Sequence, residues 1–211
     1  MFWIIGLCVV VYGVCLPQYL HYKKTGKLAL GCAYKSLGTL CAFTMALIAA
    51  IRLDPRCYIC AGAILLYAAA DYLLEFQFML GAGFFLAGHI LSVAFFFSIV
   101  PFSVLHIVAM ILLLATGSFI FWSWRKQIGK QMPAFIVYGI SLVAMCGAAI
   151  GCFSSYTAAG ILFACGGALF YISDCILLRR ILFASSASLD WAVMIAYYAS
   201  VLLFGIGCLQ M

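Results

Sequence analysis

The sequence predicts an all-α protein, a polytopic bundle of eight transmembrane helices, and three observations carry that prediction. Of its 211 residues 69% are hydrophobic and only 8% charged, against about 25% charged in a soluble domain, so a water-facing surface cannot be built from this composition. The apolar residues fall in long continuous runs, close to the roughly 20 residues a helix needs to cross hydrocarbon and unlike the alternating segments of about ten residues in a membrane barrel. Short polar or basic stretches separate the runs, leaving room for a single domain over residues 1–211 and little else.

The first run, Phe2 to Leu20, has no basic segment before it and no small-residue cleavage site, so it is expected to be a retained helix and not a signal peptide. His21 to Lys27 closes it. Leu28 to Ile51 is the second run, interrupted only by Lys35, and Pro55 breaks the chain in the turn that follows. The third, Cys57 to Leu74, carries Asp71 and leads into Glu75; the fourth, Gly81 to Val100, contains His89; Pro101 then marks a tight connection. Ser103 to Trp122 makes the fifth span, followed by the most basic loop, Arg125 to Pro133. Ala134 to Gly151 is the sixth, Ala158 to Leu178 the seventh and, after Arg179, Arg180 and a Ser-rich connector, Trp191 to Leu209 is the eighth.

The net charge of +6 comes from only five acids against eleven bases, and in a membrane protein such an excess sets topology rather than recruiting nucleic acid. With eight spans, Lys23, Lys24, Lys27, Arg125, Lys126, Lys130, Arg179 and Arg180 share one side, and only Arg52 and Arg56 lie on the other. Both termini are therefore expected outside. A shift of 103 residues lays Leu66–Asp71 on Leu169–Asp174 and Lys35 on Tyr138. Because that offset equals four helices, two parallel repeats are expected, a pattern known in transporter folds.

Most of the eleven cysteines sit within apolar runs, where a thiol behaves as a small hydrophobe. Cys57 and Cys60 have the CxxC spacing without the strand and helix context of a redox motif or a second pair to complete a zinc site. The sequence also lacks Gly-x-Ser-x-Gly, HExxH and a phosphate-binding loop. No metal or organic cofactor is expected.

An ionisable side chain inside a bilayer costs about 2.5 to 3.5 kcal/mol on insertion scales, so each one asks for a partner or a purpose. At about 1.5 Å per residue, Lys35, Asp71, Glu75, His89, Asp174, Tyr197 and Tyr198 all fall in the basic, cytoplasmic half of their spans. A shared polar cavity open to the cytoplasm follows. His106, near the outer end of the fifth span, stands apart and is expected to be a satisfied structural histidine. In a low-dielectric cavity one carboxylic acid can remain protonated as a general acid while its partner, beside Lys35 or His89, stays ionised as a base. That is the arrangement acid-catalysed hydrolysis requires.

The chain resembles the lysoplasmalogenase (YhhN-like) family of eight-helix membrane proteins. The resemblance is carried by Ala69-Ala70-Asp71-Tyr-Leu-Leu, by Gly81-Ala-Gly-Phe-Phe-Leu-Ala-Gly-His89 with Phe95 following, and by Tyr138-Gly-Ile-Ser. Gly167-Ala-Leu-Phe-Tyr-Ile-Ser173-Asp174 and Tyr197-Tyr198-Ala-Ser complete it. Where the family commonly has Gly before the first acid and Ala-Gln after the double tyrosine, this chain has Ala70 and Ala199-Ser200.

The resemblance implies hydrolysis of the vinyl ether bond of a lysoplasmalogen, a single-chain membrane lipid, to a fatty aldehyde and glycerophosphoethanolamine or glycerophosphocholine. Asp71 and Asp174 would be the catalytic acids. Lys35, Glu75, His89, Tyr138, Ser173, Tyr197 and Tyr198 would hold substrate, water or the acids themselves. The rival expectation is a transporter or lipid-binding protein that uses the same buried acids as a proton relay.

Overall fold

The computed structural model describes residues 2–155, 157–183 and 186–211, and among them there is helix and no strand. Six continuous helical stretches are long and apolar enough to cross a membrane: Phe2–Lys24, Leu28–Arg52, Phe78–Ile99, Val104–Ser155, Ala158–Leu182 and Ala187–Leu209. Cys57–Leu73 is a shorter apolar helix of 17 residues. The 52-residue stretch Val104–Ser155 is not one rod. Gly129, at a φ of 58°, stops the helix Val104–Ile128, and Met132–Gly151 runs back along it so that Gly151 packs on His106 and Gly147 on Met110. Numbered as rods in chain order, α1 is Phe2–Lys24, α2 Leu28–Arg52, α3 Cys57–Leu73, α4 Phe78–Ile99, α5 Val104–Ile128, α6 Met132–Gly151, α7 Ala158–Leu182 and α8 Ala187–Leu209.

Each turn has a chemical reason. Gly26, with a φ of 76°, ends α1, and the Lys27 N–H bonds back to the Tyr22 carbonyl, the closure a left-handed glycine permits. Ser103 caps α5 reciprocally with His106, whose ring also stacks on Phe97 and Phe102. His106 is thus a structural, helix-capping residue, although its Nε2 is buried without a hydrogen-bond partner among the described residues. The Thr157 hydroxyl caps α7 and the Ser186 hydroxyl caps α8. Within α1, a π-helical turn at Val11–Cys15 precedes Pro17, which has no N–H to give the preceding turn.

Several helices outlast their apolar runs. Phe78 begins α4 three residues before Gly81, α5 continues from Trp122 to Ile128, α7 from Leu178 to Leu182, and α8 starts at Ala187 instead of Trp191. Lys23, Lys24, Arg125, Lys126, Arg179 and Arg180, read from sequence as loop charges, are therefore helical. Their long apolar stems let the backbone stay hydrogen-bonded while the charge reaches the membrane surface. Part of the Ser-rich connector, residues 184 and 185, lies outside the described residues.

Helices α1 and α8 run antiparallel, tied by Lys23–Asp190 at one end and by the Tyr12 hydroxyl on the Ile195 carbonyl further along. Met211 lies against Cys57, at the start of α3. The start of α1 and the end of α8 thus share one end of the bundle, and the lysine-rich connections share the other. Glycines allow close helix approach here too: a methyl added at Gly88 would collide with the Tyr67 ring, and one added at Gly38 with the Tyr198 ring. Those contacts bring α3 against α4 and α2 against α8.

The cysteines of the CxxC pair are free and buried in this packing.

Candidate active site

The first acid, Asp71, is fully buried near the end of α3. Lys35 on α2 places its ammonium 3.3 Å from Oδ1, while Thr39, one turn further along the same face, donates to Oδ2 at 2.5 Å. From α8 the Tyr197 hydroxyl also donates to Oδ2, at 2.8 Å. Three helices therefore converge on one carboxylate, whose Oδ2 accepts two hydrogen bonds while Oδ1 faces the Lys35 ammonium without a hydrogen bond. Lys35 is itself only 5% exposed and lies over the Tyr19 ring. A buried pair of this kind is costly to form and more costly to break.

Asp174 on α7 has different company. The Tyr138 hydroxyl on α6 donates to its Oδ2 at 2.6 Å, and among the described residues no cation pairs with it. It forms part of the wall of a cavity of about 370 Å³ enclosed by α4, α5, α6 and α7. Phe85, Leu142, Trp122 and Leu178 are among the mostly apolar lining, and among the described residues Asp174 is the only acid in it. Tyr171 limits the cavity toward the outer half, where its hydroxyl bonds the Leu113 carbonyl at 2.8 Å and the Thr116 hydroxyl at 3.0 Å across to α5.

Most of the lining residues of the four helices come from their basic-end halves. Met79, Trp122, Ile136 and Ile140 among them are also exposed on the outside of the bundle. The cavity thus opens sideways toward lipid near that end.

A family model described as the YhhN family matches residues 30–208. The chain belongs to the YhhN family. No curated protein and no solved structure matches it. Membership agrees with the resemblance drawn from Asp71, His89, Tyr138, Asp174 and the double tyrosine, and with an integral multi-pass protein.

In this YhhN-family chain the two acids do not line one cavity, as the sequence suggested. Asp71, Lys35 and Tyr197 are not part of the wall that contains Asp174 and Tyr138. An aromatic partition stands between the two groups: Phe170 and Phe85 both pack on Tyr197 on one side and on His89 on the other. Depth along a helix is readable from spacing, but direction around the helix axis is set by tertiary packing.

His89, fully buried, contacts Ser141 through Nδ1 at 3.0 Å. Because the single Ser141 hydroxyl proton goes to the Tyr138 carbonyl, His89 must donate from Nδ1, which leaves Nε2 a bare acceptor. Its ring lies 5.3 Å from that of Tyr138.

Glu75 lies just beyond α3 and is not solvated alone. It accepts from the Tyr19 hydroxyl at 2.9 Å and faces Arg180 at 3.7 Å, and Arg180 also contacts Asp190 at 2.6 Å. With Lys23 on Asp190, this network ties α1, α7, α8 and the turn after α3 together at the basic end. Ser173 and Tyr198 use their hydroxyls on the carbonyls of Val193 and Lys35, which fixes helix packing on α8 and α2.

Sequence reading missed Thr39, Ser141, Tyr19 and the inward turn of Arg180. Thr39 had a usable signal, its i+4 spacing from Lys35. The others depend on which helix comes alongside.

Proposed function

We propose that this chain is a membrane-embedded lysoplasmalogenase that crosses the bilayer eight times, with both termini outside and the cavity opening toward the cytoplasmic leaflet. The observation that carries the reading is Asp174, a lone carboxyl group with a phenol partner in the wall of an apolar, sideways-open cavity. The excess of lysine and arginine at the end where the cavity opens supports the orientation.

Vinyl ether hydrolysis needs a strong acid at carbon and little else. Tyr138 occupies Oδ2 of Asp174, and Oδ1 carries the proton. That proton goes to the vinyl carbon β to the ether oxygen, and the oxygen lone pair forms the C=O⁺ bond of an oxocarbenium ion. Ionised Asp174, with Asp71 behind the partition, stabilises the positive charge. A water from the cavity adds to the cationic carbon and returns a proton to Asp174. The hemiacetal then breaks its bond to the glycerol oxygen, giving aldehyde and alcohol. Asp71, held by Lys35, Thr39 and Tyr197, remains the fixed charge of the site.

The placement of polar groups favours this reading over a transporter. The acids within helices gather in the basic half, whereas His106 in the outer half serves as a cap. A conduction path would need polar groups along its whole length.

The test is aldehyde release from lysoplasmenylcholine by the purified protein in detergent. Wild type should produce aldehyde stoichiometric with glycerophosphocholine; release no greater than the protein-free blank would refute the assignment.

A further inference from the structure

The basic end of the cavity carries a feature that the reaction above does not use. Trp122, in the cavity rim, lies face-on to Arg125, one turn later on α5, with the guanidinium carbon 4.2 Å from the ring centroid. The same guanidinium donates to the Trp122 carbonyl at 2.6 Å. One of its five donors is thereby used and the plane of the fork is fixed. Among the described residues no ion pair engages Arg125. A preset, unpaired guanidinium at the mouth of an apolar cavity suits a phosphate better than a lysine would, because the planar fork can bind two oxygens at once.

Its height also fits. Helices α5 and α7 run in the same direction, with Gly117 against the Tyr171 hydroxyl and Trp124 against Phe183. Arg125 lies eight residues past Gly117 and one past Trp124, while Asp174 lies three past Tyr171 and nine before Phe183, so at about 1.5 Å per residue Arg125 is between about 7 and about 15 Å nearer the basic end. In a lysoplasmalogen five bonds separate the ether oxygen from phosphorus, about 6 Å when extended, since each bond is close to 1.5 Å.

We propose that Arg125, held on Trp122, binds the phosphodiester of the substrate and sets how deeply the vinyl ether reaches toward Asp174. This rests on the hydrolase reading and assigns a headgroup site to it. The preferred lipid is thus one with a phosphodiester, and the alkenylglycerol that lacks it gains nothing from Arg125.

The experiment compares Arg125→Gln, Arg125→Lys and, as control, Lys126→Gln on two substrates of equal chain length: lysoplasmenylethanolamine and the phosphate-free 1-alkenylglycerol. Arg125→Gln should raise KM for the phospholipid about tenfold or more, the loss of a charge-assisted pair, with kcat within about twofold. It should leave both constants for the alkenylglycerol unchanged. Arg125→Lys should recover part of the loss and Lys126→Gln should behave as wild type. An unchanged KM in Arg125→Gln, or an equal loss on both substrates, overturns the proposal. A second measurement does not depend on turnover: binding of the unreactive saturated 1-alkyl lysophosphatidylethanolamine. If wild type hydrolyses neither substrate, the hydrolase reading fails and this binding decides, with equal affinity in wild type and Arg125→Gln refuting the phosphate site and a selective loss in Arg125→Gln supporting it.

Discussion

Asp71 and Asp174 stand at matching positions 103 residues apart, and the same offset relates the residues that meet them, Lys35 and Tyr138. In each half, an acid near the basic end of one helix is met by a side chain from the helix before it. The chemistry of the partner differs. An ammonium, a threonine and a tyrosine hold Asp71 in a dry node, while a single phenol holds Asp174 in a cavity wall. On the proposed reading, one carboxylate is the fixed charge and the other exchanges a proton with the substrate. On that reading, the exchange of a cation for a phenol at matching positions is what separates the stabilising acid from the reacting one.

The largest effect expected follows from that division. Asp174→Asn keeps the size and the hydrogen bond from Tyr138 but has no transferable proton, so kcat should fall by about 10² to 10⁴, the usual contribution of a general acid. Its thermal unfolding in detergent should stay near that of wild type. A large loss of stability with little loss of turnover would reverse the roles assigned to the two acids.

Asp71→Asn should do the opposite. It leaves the Lys35 ammonium buried without its counter-charge, a change that typically costs about 3 to 5 kcal/mol, read as a lower midpoint of unfolding. The double variant Lys35→Met with Asp71→Asn should recover most of that loss, since both charges then disappear together. If the double variant is no more stable than Asp71→Asn, the pair is not what makes this node sensitive.

Tyr138→Phe makes a smaller change at the other acid. It removes one hydrogen bond, worth about 0.5 to 1.5 kcal/mol, so kcat should fall by about tenfold or less while stability changes little. An effect as large as that of Asp174→Asn would show that the phenol takes part in proton transfer itself.

How far the site was legible in sequence follows from the geometry of helices. Spacing placed each helix and each polar group along it, and the offset of 103 aligned Lys35 with Tyr138 and Asp71 with Asp174, but the contacts within each pair came from the packing. The direction in which each side chain points around its helix was not available, because apolar residues occur on every face of these helices and no polar stripe marks the interior. For that reason the separation of Asp71 from the cavity by Phe85 and Phe170, the Ser141 contact of His89 and the pairing of Arg180 with Glu75 emerged only from the packing. Helix ends were misplaced by about a turn for a related reason: hydropathy ends where hydrocarbon ends, but the backbone hydrogen bonds continue.

Asp54 and Arg56 provide the same pairing as Lys35 and Asp71 on the water side of the bundle. Their ion pair closes at 2.6 Å in the turn between α2 and α3, and Arg56 also donates to the Ser98 carbonyl. The hydrogen bonds from Arg56 hold the Asp54 carboxyl below its usual value of 3.8. A carboxyl lowered in the folded state adds stability that is present above that value and is lost as the pH falls through the folded one. Asp54→Asn should therefore lower the unfolding midpoint slightly at pH 7, by roughly 0.2 to 1 kcal/mol as exposed pairs do, and the difference from wild type should shrink as the pH falls below about 4. Added salt should shrink it as well, whereas the cost of Asp71→Asn should persist, because a buried pair is screened much less. Equal costs for Asp54→Asn and Asp71→Asn at high salt would mean that burial is not what distinguishes the inner node.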